Sequence, residues 1–187
     1  AFSECSLLTE VSIPLSVTLI GDESFFKCSL ISEITIPSSV VSIGSFAFSE
    51  CSSLKKITIP STVASIGRYA FSECSKLEAI TIPHSIVSIE EGCFFACSSL
   101  TEVLIHSSIT KIEQYSFSKC SSLKIVKFES PSSITFIGSN AFSQCSSLFD
   151  IKIPSSVTSI QSSTFCKCLS LKKINIPSSV TLIDSNA

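Results

Sequence analysis

The chain repeats one pattern of hydrophobic and polar positions every 23 residues, with a single interval of 25. In each repeat a segment Leu-x-x-Ile-x-Ile alternates apolar and polar positions, as it does from Leu54 to Ile59. β-Branched residues with a period of two predict a short strand with one buried face. Because the period holds throughout, we expect stacked coils: a β-dominated repeat solenoid in which residues 1–187 form one domain of about eight repeats.

The residues after the strand predict a corner and a turn. Proline follows the strand in seven repeats and His106 replaces it in the fifth. Proline lacks a backbone N–H, so it marks the point where the chain leaves the sheet. A brief extended piece, Val-x-x-Ile-Gly, comes next, and its glycine suits a left-handed backbone. Positive φ cannot be obligatory there, because other repeats have Glu90, Glu113, Gln161 and Asp184 at the same position. A small residue and Phe follow, as in Ala47-Phe48, and predict one turn of α-helix or 3₁₀-helix.

Two further repeat positions predict the interior. Phe recurs in the phase of the buried Leu and Ile, which indicates an internal aromatic ladder rather than a ligand-stacking surface. Cysteine recurs at one position in every repeat, which predicts a row of free, buried thiols. Oxidised pairs are the alternative, because neighbouring strands lie within disulfide distance. Two cysteines lie outside this row: Cys93 before Phe94, and Cys166, the more exposed of the two. The row comprises Cys5, Cys28, Cys51, Cys74, Cys97, Cys120, Cys145 and Cys168.

The full unit, Leu-x-x-Ile-x-Ile-Pro-x-x-Val-x-x-Ile-Gly-x-x-Ala-Phe-x-x-Cys, resembles the treponemal, BspA-like class of leucine-rich repeat over the whole chain. The resemblance implies a right-handed, curved superhelix with a parallel sheet on its concave side. It also implies a cell-surface or secreted location and a protein partner, because similar repeats occur in bacterial and protozoan surface proteins that bind host or neighbouring-cell proteins. The departures are His106, the non-glycine turn residues and the two additional residues Glu129-Ser130.

Composition narrows the partners. Charged residues make up 15% of the chain and the formal net charge is -2, so we expect no nucleic-acid partner. No apolar run approaches the roughly 18 residues of a membrane span, so we expect no membrane insertion by this segment. The first and last residues, Ala1 and Ala187, occupy equivalent phases of the repeat, and the chain contains no Met. These features predict that the chain is an excerpt of a longer array or a processed product.

Catalytic chemistry is not indicated, and we expect neither an enzyme nor a cofactor. The chain has two histidines and three aspartates, and it has no phosphate loop, nucleophile elbow or paired-cysteine metal motif. A metal site is the sharpest alternative, because His84 and His106 lie in adjacent coils and Glu102 could add a carboxylate. Solvated histidines at a corner are the simpler interpretation. An ice-binding Thr row is a further alternative, but it ends after Thr81, at Leu104.

The outward residues of the strands supply the candidate binding surface. An apolar spot, with a polar rim around it, interrupts an otherwise polar face. The competing explanation is neutral substitution at outward positions that tolerate many residue types. The missing proline and the Glu129-Ser130 insertion lie close to this spot in the sequence. Departures from the repeat that cluster in this way are typical of functional sites. The apolar residues are Ala79, Leu104 and Ile125, and the rim consists of Glu102, His106 and Lys127.

These observations predict a non-catalytic protein-binding scaffold that acts as an adhesion or recognition segment. The alternative is a structural spacer or a self-assembling array. End-to-end self-association would follow from apolar edges on the terminal coils. Exposed-phase aromatics on the opposite side, Phe46, Tyr69 and Tyr115, form a second candidate surface, for which packing against neighbouring turns is the simpler role.

Overall fold

The protein folds into a parallel-strand β-solenoid of about seven turns, and the computed structural model describes all residues, Ala1–Ala187. Most turns contribute one strand to a first row of parallel strands and, after the corner, a two-residue strand to a second row, whereas the first and last turns contribute a strand only to the second row. The strands are β1 (Leu19–Ile20), β2 (Glu33–Thr35), β3 (Ser42–Ile43), β4 (Lys56–Thr58), β5 (Ser65–Ile66), β6 (Ala79–Thr81), β7 (Ser88–Ile89), β8 (Glu102–Ile105), β9 (Lys111–Ile112), β10 (Ile125–Phe128), β11 (Phe136–Ile137), β12 (Asp150–Ile151), β13 (Ser159–Ile160) and β14 (Leu182–Ile183).

All strand pairing is parallel, and equivalent residues of successive repeats face each other. Ile34 lies opposite Ile57, and Ile57 lies opposite Ile80. The central residue of each strand is buried and its neighbours are exposed, as the alternating sequence predicts. The predicted solenoid with a parallel sheet is therefore confirmed. We call the sheet face that carries β2, β4, β6, β8, β10 and β12 the concave face, following the geometry of leucine-rich repeats.

The segment around each Phe is a run of turns, so the predicted turn of α-helix or 3₁₀-helix is wrong. Alternate N–H groups there donate to the next coil, for example Phe46 to Arg68 and Phe48 to Ala70. The intervening N–H groups donate to the carbonyl three residues back in the same coil. This alternation requires positive φ at two residues per coil, such as Phe46 (55°) and Glu50 (59°). Hydrogen bonds between coils replace those of a helix.

The repeat glycine has a different role from the predicted one. Its φ is not positive, and Gly92, which is not at the repeat position, is the glycine with positive φ. A Cβ on Gly44 would come within 2.5 Å of the backbone N of Asp22, and one on Gly67 would overlap the backbone of Ser45. Gly44 and Gly67 therefore allow a close approach of the preceding coil that a side chain would prevent.

The interior contains the predicted aromatic and cysteine ladders. Seven successive pairs of Phe rings stack with centroids 5.3–5.8 Å apart, from Phe2 to Phe165. The thiols of the row are free, and six of them are buried. Each thiol from Cys28 onward donates to a Phe carbonyl of the preceding coil, as Cys51 does to Phe25 at 3.2 Å. The ladders hold the coils at one spacing. Outside the row, Cys93 is buried and Cys166 is partly exposed, as expected.

The strand pairing is interrupted at specific places, which we call seams. The lateral seam separates β5 from β7, and the concave seam separates β6 from β8. At the lateral seam Glu90 follows Gly67 at the close-packed position, so a side chain must fit where the preceding coil has none. A similar gap separates β11 from β13, where Gln161 follows Gly138. Where both coils carry a side chain, as with Glu90 and Glu113, β7 and β9 pair normally.

Candidate functional site

The predicted binding residues lie on three neighbouring strands of the concave face. In the register of β8 and β10, Glu102 lies opposite Ile125, and Leu104 lies opposite Lys127. Leu104 and Ile125 are therefore diagonal neighbours, a separation of about 7–8 Å that long side chains can span. Leu104 is 52% exposed and Ile125 is partly buried. Ala79 is exposed on β6, across the concave seam.

An ion pair occupies the other diagonal of the same four residues. The Nζ of Lys127 donates to the Oε2 of Glu102 at 3.3 Å, and both side chains are exposed. Such a pair contributes little to stability in water. It does bring opposite charges directly beside Leu104 and Ile125. The spot is thus an apolar diagonal crossed by a polar one, rather than a continuous apolar area.

Sequence reasoning missed one apolar residue near this spot. Phe149 is 50% exposed and directly precedes Asp150, which pairs with Ile125. The alternating pattern predicts outward side chains at the two positions that flank the buried residue, and Phe149 lies just before them. The sequence did contain a signal for this residue: Phe149 is aromatic, whereas the equivalent positions in other repeats include the lysines Lys55 and Lys124.

His106 lies inside the corner, in contrast to the exposed rim position predicted for it. Only 3% of its surface is exposed, and it occupies the place that proline fills in other repeats. Its ring lies against that of the exposed His84, with centroids 4.4 Å apart. The predicted approach of the two histidines is confirmed, but His106 is not solvated. Neither of its ring nitrogens has a hydrogen-bond partner.

Burial is the main cause of the low pKa of the His106 imidazole, and the neighbouring His84 lowers it further. The Pro83 carbonyl, although outside hydrogen-bonding geometry, and the Glu129 carboxylate oppose this shift. His106 is therefore neutral at physiological pH. Glu129 accepts a hydrogen bond of 2.9 Å from the N–H of Ser107, which is the main reason that its own pKa is lowered.

The carboxylate near the histidine pair is Glu129, not the predicted Glu102. Glu102 pairs with Lys127 instead, and Glu129 belongs to the two-residue insertion. The structure contains no group of three or more His, Cys, Asp or Glu residues arranged to hold a metal ion. The metal alternative therefore has no ligand set in this fold.

A cavity of about 390 Å³ lies at the concave seam beside these histidines. The cavity spans three coils, from Ile59 through Ile80 to Leu104, and the unpaired strands β6 and β8 lie beside it. Sequence reasoning missed this cavity, because an interruption in the ladder depends on how two coils sit together. Its lining consists of Ile59, Ser61, Ile80, Thr81, Ile82, Pro83, His84, Ser85, Leu104 and His106.

The aromatics of the opposite side are partly buried, as predicted. Phe46 and Tyr69 stack at 5.1 Å, and the Tyr69 hydroxyl donates to Glu91 at 3.1 Å. The Tyr69 ring lies over Gly92, where a Cβ would overlap it. These contacts account for the aromatics as packing within the coil stack.

Comparison with known families agrees with this architecture. The model of the BspA type leucine-rich repeat region matches residues 1–124 and 76–187, with six copies. The chain therefore belongs to the BspA-type leucine-rich repeat family. No curated protein is significantly similar to it. None of the chain forms a helix long and apolar enough to cross a membrane.

Solved structures of bacterial leucine-rich repeat proteins are similar to it. The T. pallidum leucine-rich repeat protein shares 27% identity at a TM-score of 0.61, over 89% of this chain and 67% of its own. A leucine-rich repeat protein from Bacteroides ovatus shares 26% identity at a TM-score of 0.52, over 98% of this chain and 70% of its own. A leucine rich cell surface protein from Faecalibacterium prausnitzii shares 25% identity over 90% of this chain and 73% of its own, at a TM-score of 0.40.

Proposed function

We propose that the chain is a non-catalytic protein-binding scaffold, an adhesion or recognition segment of a cell-surface or secreted protein. The observation that supports this most directly is Leu104, a large apolar side chain half exposed on a parallel sheet whose outward positions are mostly polar. Exposed apolar residues on such a surface are candidates for the centre of an interface.

The surroundings of Leu104 fit this role. The Glu102–Lys127 ion pair places both signs of charge beside the apolar diagonal, which favours an orientated partner. Phe149 adds an exposed aromatic side chain near the same strands. The surface location extends to this chain what its resemblance to the repeats of bacterial and protozoan surface proteins implies.

Replacing Leu104 and Ile125 together with Ser should abolish most of the partner binding and leave the fold intact. Both side chains point outward, whereas the buried Val103 and Val126 continue to pack the coils. Loss of a central interface contact costs about 2 kcal/mol or more, which is roughly 30-fold in affinity. Biolayer interferometry against purified extracellular and cell-surface proteins identifies partners, and each is then tested with the double variant.

A matched control replaces Val41 and Val87 with Ser, because these residues are 52% and 58% exposed and lie outside the concave face. This control variant should bind as the native chain does. Equal binding by the Leu104/Ile125 variant would contradict the concave-face proposal, and attention would turn to the side that carries Phe46 and Tyr69. Absence of any partner across the panel would favour the structural-spacer alternative.

A further inference from the structure

Lysine side chains accumulate at the carboxyl-terminal end of the concave face. Each of the last three coils presents three outward positions there, the two that flank the buried strand residue and the one just before them. Lysine occupies five of these nine positions and an acidic residue only one, although the formal net charge of the whole chain is -2. All five lysines are exposed. We call them the lysine patch: Lys124, Lys127, Lys152, Lys172 and Lys173.

The charge of the lysine patch is mostly not neutralised within the chain. Lys127 forms the ion pair with Glu102, whereas the other four lysines have no carboxylate at ion-pair distance, not even that of Asp150. The parallel pairing of β10 and β12 brings Lys127 and Lys152 onto adjacent strands, about 4.8 Å apart. Like charges on adjacent strands repel each other. The patch therefore has positive charge that an external group can neutralise.

The amino-terminal half of the same face differs, because its charges alternate in sign. Glu33 lies directly opposite Lys56 in the pairing of β2 with β4. Glu78 follows Lys55 by one repeat, and its N–H donates to the Lys55 carbonyl at 3.2 Å. Opposite charges on adjacent strands stabilise each other. The excess of positive charge is therefore confined to one end of the concave face.

Two exposed apolar residues accompany the lysines. The N–H of Phe149 donates to the Lys124 carbonyl at 3.2 Å, and Lys172 occupies the same repeat position one coil further on. Phe149 is 50% exposed, so apolar surface lies in the row between two lysines. Leu104 is 52% exposed and borders the patch, because it lies opposite Lys127. A group that covers this surface must supply apolar as well as anionic atoms.

This combination favours a polypeptide over other anions. A small free anion would meet only exposed lysines, where water competes for every contact. A sulfated glycan matches the charge but offers little apolar surface to Leu104 and Phe149. A polypeptide with glutamate or aspartate beside apolar residues supplies both kinds of group from one chain.

We propose that this end of the concave face binds an acidic segment of the protein partner, whose carboxylates contact the lysine patch and whose apolar side chains cover Phe149 and Leu104. The inference rests on the proposed protein-binding function and adds the chemistry of the partner. Complementary charges of this kind accelerate association and fix the orientation of the partner.

The first experiment uses a soluble synthetic peptide in which glutamates flank one leucine and one phenylalanine. Fluorescence anisotropy measures its affinity for the native chain. A second peptide has glutamine in place of each glutamate, and we expect it to bind roughly tenfold more weakly. A third peptide keeps the glutamates and has serine in place of the two apolar residues, and it should also bind roughly tenfold more weakly.

Salt and a sulfated glycan provide two further comparisons for the glutamate peptide. Raising the ionic strength from about 0.01 M to about 0.15 M shortens the Debye length from about 30 Å to about 8 Å. The advantage of the glutamate peptide over the glutamine peptide should therefore shrink. A heparin oligosaccharide, measured by competition with the glutamate peptide, should bind more weakly than the peptide does.

A triple lysine variant tests whether the patch is the binding site. It should bind the glutamate peptide roughly tenfold more weakly, because each exposed ion pair contributes modestly and three are removed. It should also be at least as stable as the native chain in urea at low salt, because the substitutions relieve repulsion between like charges. The substitutions are Lys124→Gln, Lys152→Gln and Lys172→Gln.

A matched control makes the same change in net charge at three exposed lysines outside the concave face. It should bind the glutamate peptide as the native chain does. Circular dichroism should show that both triple variants fold, as expected for surface substitutions. The control substitutions are Lys111→Gln, Lys119→Gln and Lys167→Gln.

Any of four results would overturn the proposal: equal binding of the glutamate and glutamine peptides, equal binding of the peptide without apolar residues, equal weakening by the two triple variants, or tighter binding of heparin. These assays need no native partner, so their failure is separate from the outcome for the Leu104/Ile125 variant. If a partner is lost by that variant but retained by the triple lysine variant, the protein-binding function stands and the acidic segment is wrong.

Discussion

Raising the pH above 9 should unfold the protein steeply, because its buried thiols resist ionisation in the folded state. Burial raises the pKa of Cys51 and of Cys120 from 9.0 to about 12, and neighbouring Cys28 contributes at Cys51. The thiols of Cys74, Cys97 and Cys145 are shifted in the same direction. In the unfolded chain these groups lose their protons near pH 9.

The sign of the effect follows from these two states. A group whose pKa is raised by folding contributes its full stability below the unfolded pKa, and this is lost as the pH rises through the folded pKa. Between pH 9 and about 12, the thiols of Cys51 and Cys120 each lower the free energy of unfolding by about 1.4 kcal/mol per pH unit. By pH 12 the ionisation of Cys51 and Cys120 lowers the free energy of unfolding by about 8 kcal/mol, which is comparable with the whole stability of a typical domain.

The measurement is urea denaturation followed by circular dichroism at several pH values, under a reductant that does not contain thiols. Replacing Cys51 and Cys120 with Ala should reduce the slope of the unfolding free energy against pH by about 2.8 kcal/mol per unit. The ionisation of lysines is common to both chains and cancels in the comparison. An unchanged slope would contradict the role of the thiols. The buried thiols should also react slowly with Ellman's reagent in the native protein, whereas the exposed Cys5 reacts readily, and all ten thiols should react after denaturation.

Replacing Phe71 with Ala should destabilise the solenoid by about 3–5 kcal/mol. The ring is fully buried and stacks on Phe48 at 5.5 Å and on Phe94 at 5.7 Å. Its removal deletes two stacking contacts and leaves a cavity. The neighbouring coils cannot close this cavity, because the backbone hydrogen bonds between coils fix their spacing. Urea denaturation measures the loss.

Phe149→Ala is the matched control for this experiment, since it makes the same chemical change at a half-exposed residue. Its effect should stay below about 1 kcal/mol, as for most surface substitutions. Equal destabilisation by the two variants would mean that the aromatic ladder does not hold the coils together.

The positions that repeat were predictable because each coil places them in the same environment. The strand alternation, the Phe ladder and the cysteine row depend only on the phase of the repeat, and the structure confirms them. The reason for glycine at position 44 was predicted wrongly. Its sequence context indicates a turn, whereas the actual constraint is the nearby backbone of Asp22 in another coil. The distance between two coils cannot be inferred from the residues around Gly44.

The positive φ of Phe46 and Glu50 was unpredictable for a related reason. Bulky residues avoid this conformation, and only the hydrogen bonds to the next coil require it. The candidate site shows the same limit. Leu104 was found because it is an apolar residue at an outward phase, whereas the cavity and the burial of His106 depend on how neighbouring coils sit together.

The two neighbouring seams have a mechanical consequence. The coil that contains β6 and β7 pairs through β6 with the preceding coil and through β7 with the following one, so its two seams lie on different sides of the stack. The hydrogen-bonded turns around the Phe ladder are continuous across both. We therefore expect the array to bend most easily at this coil, in two directions about the uninterrupted side. Bending in these directions would change the width of the concave face without separating any coil from its neighbours.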